Sequence, residues 1–149
     1  MKRAAPETAG HSSHNRFRVL IADDSAAIRQ SLSALISRLT DVEIVGLAWT
    51  GSEALELIRT LKPDAVTLDV RMPGINGINV LKAIKREGLK VMVIVLTGLD
   101  EEEYRRKCFE SGANYFFHKS TEFEKVMNVL RDEAVLRLNP PGRATSPQD

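Results

Sequence analysis

Several side chains suited to metal-assisted phosphoryl chemistry follow short apolar runs of the sequence. In chain order they are Asp23, Asp24, Asp69, Thr97 and Lys119. Three carboxylates in one place repel each other, since two charges ~4 Å apart cost about 4 kcal/mol at an effective dielectric near 20. A hard divalent cation relieves that repulsion, and a few carboxylates, a backbone carbonyl and water suit octahedral Mg²⁺. The sequence therefore predicts a Mg²⁺ site wherever these side chains converge.

The types of these residues also indicate what such a site would do. A metal ion and an ammonium group stabilise the oxygens of a transferring phosphoryl group, and a carboxylate can accept that group as a nucleophile. We predict Asp69 as the nucleophile and Lys119 as the fixed positive charge. The pair Asp23 and Asp24 has a simpler explanation as a helix cap, but capping requires only one carboxylate.

Short apolar runs alternate with segments whose apolar residues recur every three or four positions, which predicts alternating strands and helices. The predicted strands are Phe17–Ala22, Val42–Ala48, Ala65–Val70, Val91–Leu96 and Asn114–His118. Five βα units in series predict an α/β fold in which helices cover both faces of a parallel sheet. The chemically active residues then lie at the carboxyl ends of strands, where open α/β sheets bind ligands.

The fourth helix, predicted at about 100–110, is the least apolar of the five. Its apolar anchors are Tyr104, Cys108 and Phe109, and most of its other residues are charged. A helix with so few apolar contacts is predicted to shift at low cost.

The overall composition excludes several classes of protein. With 149 residues, 21 Lys and Arg against 20 Asp and Glu, and a formal charge of +1, the chain offers no basic footprint for nucleic acid and no polybasic membrane patch. Its single cysteine excludes an internal disulfide framework and a cysteine-based zinc cluster. Because no apolar run approaches the ~18 residues that span a bilayer, we expect a cytoplasmic protein that binds neither nucleic acid nor membrane directly.

The two ends of the chain differ from its middle. Residues 1–16 and 139–149 are polar and contain four of the six prolines, and such segments bury too little apolar surface to offset the entropy of ordering. We predict a disordered tail at each end, 1–16 and 139–149, and a folded domain at 17–138. Only eleven residues follow Leu138, so we expect no output domain, unless the chain is a fragment of a longer protein.

Four segments together resemble the receiver domain of bacterial two-component response regulators. They are VLIADDS (19–25), VTLDVRMPGINGINVL (66–81), VIVLTG (93–98) and ANYFFHKS (113–120). The resemblance extends over essentially the whole segment 17–138. It implies a doubly wound, flavodoxin-like sheet of five parallel strands in the order 2-1-3-4-5, with five helices.

The resemblance also assigns roles at the acidic site. Asp69 matches the phosphoacceptor of the family, and Asp24 matches the direct Mg²⁺ ligand. Asp23 then acts largely through water, and the backbone carbonyl of Arg71 stands where the family supplies a further metal ligand. The implied cofactor is Mg²⁺.

A second group of residues matches the conformational switch of the family. Thr97 matches the hydroxyl that bonds the phosphoryl oxygen, Lys119 matches the lysine that pairs with it, and Phe116 takes the position of the switch aromatic. The family usually follows its lysine with proline through a cis peptide, whereas Ser120 follows here. A cis bond without proline costs ~2.5–4 kcal/mol, so this loop is predicted either to contain strain or to place Lys119 differently.

The function that the resemblance implies is a phosphorylation-dependent signalling switch. A histidine kinase or a histidine phosphotransfer protein donates the phosphoryl group, and the face made by the fourth helix, fifth strand and fifth helix then changes. That face regulates a downstream protein partner, the chain relays the phosphoryl group onward, or phosphorylation drives a homodimer through the same elements. A phosphate-independent binding module on the same fold is the alternative, because Ser120 departs from the family pattern.

Enzymes of similar architecture fit the sequence less well. A dinucleotide-binding enzyme requires a G-x-G-x-x-G turn, which the sequence lacks. A dehalogenase-type phosphatase requires a second acid at the position that Arg71 occupies. We therefore expect no enzyme activity beyond slow self-dephosphorylation.

Overall fold

The computed structural model describes residues 16–99 and 102–138. The tails predicted at 1–16 and 139–149 lie outside the described residues, apart from Arg16, and so do positions 100 and 101 at the predicted beginning of the fourth helix. In the described ranges, none of the helices combines the length and apolar character that crossing a membrane requires.

Strands and helices alternate along the described chain, as the sequence predicts. The strands are β1 (Phe17–Ala22), β2 (Val42–Ala48), β3 (Ala65–Leu68), β4 (Met92–Thr97) and β5 (Tyr115–His118). The helices are α1 (Ala26–Ile36), α2 (Gly51–Leu61), α3 (Gly77–Glu87), α4 (Glu102–Glu110) and α5 (Phe123–Leu138). All strands pair in parallel in the order β2-β1-β3-β4-β5, which confirms the predicted flavodoxin-like α/β fold.

Four predicted strand limits were wrong by one or two residues, for local reasons. The strand β3 ends at Leu68 because the Val70 carbonyl turns away and accepts a hydrogen bond from the Gly77 N–H at 2.8 Å. The strand β4 lies one residue later than predicted at both ends, because Met92 is the first residue paired with β3 and Thr97 still pairs with His118 of β5. The strand β5 begins at Tyr115, since the Asn114 side chain takes over the partner position by accepting from the Val93 N–H at 2.8 Å.

Helices cover both faces of the sheet, so the strands are buried from two sides. One apolar cluster joins α2, α3 and the Cys108 side of α4 to the sheet, and the other joins α1 and α5 to the opposite face. Leu20 belongs to the first cluster and its neighbours Val19 and Ile21 to the second, as the alternation of side chains along a strand requires. Each fully buried side chain of this kind stabilises the fold by about 1.5–3 kcal/mol, which holds the strand ends in fixed relative positions.

The helix α4 has the lightest anchoring in the described fold. Its one fully buried side chain is Cys108, while Phe109 on the same helix is exposed. Burial raises the pKa of the Cys108 thiol to about 11, so this side chain stays protonated at neutral pH and serves as a small apolar contact. The few apolar contacts of α4 make its displacement cheaper than that of α2 or α3.

Candidate functional site

The strand order brings the chemically active residues to one edge of the sheet. Since β1 and β3 are neighbours, Asp23 after β1 and Asp69 after β3 lie side by side, and the Asp69 N–H donates to the Ala22 carbonyl at 3.1 Å. Thr97 ends β4 and Lys119 follows β5, and the Lys119 N–H donates to the Thr97 carbonyl at 2.9 Å. Backbone hydrogen bonds between adjacent strands therefore fix these positions.

Three carboxylates meet at this edge. Asp23, Asp24 and Asp69 each place a carboxylate oxygen within 4.8 Å of the others. Asp23 and Asp69 are buried, with 2% and 4% of their surface exposed, whereas Asp24 faces solvent. A set of carboxylate oxygens that is open to water on one side suits a hard divalent cation that retains some of its water, so these residues fit the Mg²⁺ that the sequence predicts.

Lys119 lies between the two buried carboxylates. Its Nζ is 2.8 Å from Asp23 Oδ2 and 2.8 Å from Asp69 Oδ2. The other oxygens of the two carboxylates bind backbone groups, because Asp23 Oδ1 accepts from the Ser25 N–H at 2.9 Å and Asp69 Oδ1 accepts from the Arg71 N–H at 3.3 Å. Both buried acids thus have fixed partners, and the Lys119 ammonium group pairs with both of them.

The charges of the site shift the acid–base behaviour of two of its members. Burial raises the pKa of Asp23 above its ordinary value, and the charge of Asp69 adds to that effect, although Lys119 and the Ser25 N–H oppose it. Burial works against the ammonium form of Lys119, but its bonds to both carboxylates outweigh burial and raise its pKa. A positive charge is therefore permanent at neutral pH, and the excess of carboxylates leaves room for a further cation.

The two predicted switch residues are both buried. Thr97 is fully buried in the described fold, and its Oγ1 accepts from the Leu99 N–H at 3.4 Å. The ring of Phe116 points inward; its centroid is 6.5 Å from that of Phe109, and the Arg105 guanidinium lies 5.7 Å from it. Residues of the lightly anchored α4 therefore contact Phe116 directly.

The segment after Asp69 forms one wall of an open cavity of about 380 Å³. The residues around it include Asp24, Arg71, Met72, Leu99 and Tyr104. The Arg71 side chain is exposed, while the Arg71 backbone N–H donates to Asp69 Oδ1. The cavity gives a reactant a route to the exposed side of the carboxylates.

The turn after Lys119 is built without proline. The described chain contains no cis peptide bond, so the Lys119–Ser120 bond is trans, and Lys119 nevertheless reaches Asp23 and Asp69. Hydrogen bonds close the turn: the Ser120 N–H and Oγ lie 3.3 and 3.0 Å from His118 Nδ1, and the His118 N–H donates to Glu122 at 2.6 Å.

Two further residues, which were not among the predicted site residues, support the site. A Cβ atom on Gly77 would lie 2.6 Å from the Asp69 carbonyl oxygen and 2.7 Å from the Val70 Cα, so only glycine lets α3 begin this close to Asp69. Arg29 is buried on α1, and its Nη1 donates to the Asp23 carbonyl at 2.7 Å. The signal for Arg29 is its spacing, because it lies three positions before the buried Leu32 on an otherwise apolar face.

Comparisons with known proteins agree with this arrangement. The profile described as "Response regulator receiver domain" matches residues 19–131. A protein-glutamate methylesterase/protein-glutamine glutaminase of Pyrococcus abyssi is 37% identical over 126 residues, which are 83% of this chain and 34% of that protein. Response regulator GacA of Pseudomonas aeruginosa is 30% identical over 115 residues, which are 77% of this chain and 54% of that protein. The chain thus spans between about a third and about half of these relatives.

Solved structures show the same likeness. The signal receiver domain of NarL from Mycobacterium tuberculosis superimposes with a TM-score of 0.76 and 31% identity, covering 80% of this chain and 97% of that one. The response regulator domain of CheB from Thermotoga maritima gives a TM-score of 0.71 and 35% identity, covering 83% of this chain and 97% of that one. With the family profile matched over most of the described fold and the acidic edge in place, this chain belongs to the response regulator receiver domain family.

Proposed function

We propose that this chain is a phosphorylation-dependent signalling switch that accepts a phosphoryl group on Asp69, within a receiver domain spanning 17–138. The observation that supports it most is the position of Lys119, whose Nζ lies 2.8 Å from both Asp69 and Asp23. A lysine in that place stabilises the negative oxygens of a phosphoryl group as it arrives at Asp69. A merely structural ion pair does not require a third carboxylate beside it, yet Asp24 is there.

The cation that fits this site is Mg²⁺, which Asp23, Asp24 and Asp69 and the backbone carbonyl of Arg71 would hold. When bound, it supplies positive charge to the carboxylates and to the oxygens of the transferring group. Asp69 acts as nucleophile: one of its oxygens forms the new bond to phosphorus, and the bond between phosphorus and the donor nitrogen breaks with its electron pair on the donor imidazole. The donor is a histidine kinase or a histidine phosphotransfer protein.

The output of the switch lies on the face formed by α4, β5 and α5. The Thr97 hydroxyl, which binds a neighbouring backbone N–H in this structure, moves to the phosphoryl oxygen, and the ring of Phe116 adjusts with it. Arg105 and Phe109 of α4 contact that ring, so the adjustment reaches the helix that is cheapest to displace. A downstream protein partner, the next member of a phosphorelay or a second copy of the chain then recognises the altered face.

Intact-mass spectrometry tests the proposed chemistry. The full chain is incubated with acetyl phosphate, with Mg²⁺ and with a chelator. We expect one phosphoryl adduct that requires Mg²⁺ and decays slowly by self-hydrolysis, without further enzyme activity. A folded protein that binds no Mg²⁺ and forms no adduct with either acetyl phosphate or a phosphorylated phosphotransfer protein would be a phosphate-independent binding module, and the proposal would be wrong.

Replacing Lys119 with methionine tests its part in the site. Without metal, we expect the free energy of unfolding at neutral pH to fall by roughly 2–3 kcal/mol, because two buried carboxylates lose their shared partner. The figure lies below the about 3–5 kcal/mol typical of a broken buried pair, because the Lys119 side chain is 18% exposed and water screens the loss. Mg²⁺ should restore part of the stability, since it binds only the folded site.

The pH dependence of this variant has a definite sign. Lys119 lowers the pKa of Asp23 in the folded protein, so its removal raises that pKa further above the ordinary value. The folded protein then keeps a proton that the unfolded chain has lost, and stability falls as pH increases between the two pKa values. Urea unfolding at several pH values should show a deficit that grows with pH. Lys125→Met, which removes an exposed pair with Glu122, is the control, and an equal effect of the two variants would contradict the role of Lys119.

A further inference from the structure

Arg29 is a buried cation with an unusual set of partners. Only 9% of its surface is exposed, yet no carboxylate in the described part of the chain lies within 4.0 Å of its guanidinium group. Instead, its Nη1 donates to the backbone carbonyl of Asp23 at 2.7 Å, and its guanidinium carbon lies 4.3 Å from the centre of the Trp49 ring. Burying a charge costs free energy unless its partners compensate for it. The burial of Arg29 therefore indicates that its guanidinium has a specific role.

The partners of Arg29 surround one peptide of the acidic site. The carbonyl that receives its hydrogen bond belongs to the peptide between Asp23 and Asp24. The N–H of Asp23 donates to the carbonyl of Ala48 at 3.0 Å, and Ala48 directly precedes Trp49. Both backbone groups of Asp23 are therefore held by a unit consisting of the end of β2, Trp49 and Arg29.

We propose that Arg29 and Trp49 form a brace that positions the Asp23–Asp24 peptide for metal binding; this rests on the proposed Mg²⁺ site. Arg29 is a positioning residue, since it touches the backbone of a ligand and none of the reacting atoms. The Trp49 ring, 41% exposed, covers the guanidinium and holds it against the carbonyl through a cation–π contact. The brace sets the plane of the peptide from which the Asp24 carboxylate projects.

Replacing Arg29 should change the Mg²⁺ affinity in opposite directions, depending on whether the guanidinium acts through its charge or by orienting the peptide. This difference makes the proposal testable. If the guanidinium acted only through its charge, its removal would strengthen Mg²⁺ binding, because a nearby positive charge repels a cation. If it acts by orienting the Asp23–Asp24 peptide, its removal weakens binding, and partners that orient metal ligands are typically worth 10–100-fold in affinity. The sign of the change therefore decides between the two.

The experiment is isothermal titration of the full chain with Mg²⁺. We expect Arg29→Gln to weaken binding about tenfold and Arg29→Lys to recover part of that loss, because an ammonium group can still donate to the carbonyl. Trp49→Ala should weaken binding about two- to fivefold, as expected from the loss of a cation–π contact. Arg38→Gln, which removes the same charge from an exposed position after α1, should leave the affinity unchanged.

Trp49 supplies a second readout, because it is the only tryptophan in the sequence. In the unsubstituted protein, Mg²⁺ should change its emission with the same midpoint as the calorimetric titration. In Arg29→Gln, binding at higher Mg²⁺ should leave the emission unchanged, since the connection from Asp23 to the ring is cut. Circular dichroism establishes that each variant is folded, and if Arg29→Gln does not fold, Arg29→Lys and Trp49→Ala decide alone.

The outcomes separate this inference from the proposed function. Unchanged or tighter Mg²⁺ binding by folded Arg29 variants would overturn the brace, while the unsubstituted protein would still form its phosphoryl adduct. An unsubstituted protein that neither binds Mg²⁺ nor forms an adduct would overturn both.

Discussion

Asp69→Asn should form no phosphoryl adduct under conditions in which the unsubstituted chain is modified, whatever the Mg²⁺ concentration. An amide is a poor nucleophile for phosphorus compared with a carboxylate, and no other described carboxylate has the position of Asp69 beside Lys119 and the Arg71 N–H. The fold should survive, because an amide oxygen still accepts one of these hydrogen bonds. Loss of one charge from a crowded acidic cluster offsets the weaker bond to Lys119, so we expect the free energy of unfolding to change by no more than about 1 kcal/mol.

The matched control is Asp64→Asn, at the other end of the same strand. Asp64 lies just before β3, where it accepts hydrogen bonds from Arg18 and Arg137, far from the carboxyl ends of the strands. We expect this variant to keep the full adduct, and intact-mass spectrometry followed by peptide mapping would measure both. An adduct on Asp69→Asn, or one that maps to another residue in the unsubstituted chain, would remove Asp69 from its proposed role.

The convergence of the site could be predicted from the sequence because its members all lie at the end of a strand or just after it. Periodicity identifies the strands, and the resemblance to receiver domains supplies their order. Once β1 and β3 are neighbours, the positions of Asp23 and Asp69 follow from the fact that parallel strands end at the same edge. The strand limits were less predictable, since the end of β3 depends on a hydrogen bond from Gly77 to Val70, which no local pattern reveals.

The supporting residues could not be predicted in the same way, since their roles depend on contacts between distant segments. Gly77 is one glycine among nine. That this position has no room for a Cβ atom becomes evident only in the structure, where the start of α3 packs against the end of β3. The spacing of Arg29 places it on the buried face of α1, but its partner appears only in the structure, where Trp49, twenty positions later, lies on its guanidinium. The turn at Ser120 is similar: its closure by His118 and Glu122 depends on rotamers that composition does not fix.

Gly77→Ala should destabilise the protein by about 2–3 kcal/mol and slow phosphorylation of Asp69. The added methyl carbon would lie 2.6 Å from the Asp69 carbonyl oxygen and 2.7 Å from the Val70 Cα. Both neighbours are backbone atoms at the end of a buried strand, so the start of α3 must move and the bond from the Gly77 N–H to Val70 weakens. Overpacking of this kind costs about 1–3 kcal/mol or more and the hydrogen bond about 1 kcal/mol, against a gain of about 0.5–1 kcal/mol from replacing glycine in a helix.

A second glycine of the same site separates the collision from the general effect of adding a methyl group. Gly98 follows Thr97, and a Cβ atom there would meet nothing within 4 Å. Gly98→Ala should therefore change the free energy of unfolding by less than about 1 kcal/mol, with any gain coming from the unfolded chain. Urea unfolding gives the stability of both variants, and the rate of adduct formation with acetyl phosphate reports on Asp69. A displacement of the nucleophile by about 1 Å can slow a reaction roughly a hundredfold, so a Gly77→Ala protein that is phosphorylated as fast as Gly98→Ala would mean that α3 does not position Asp69.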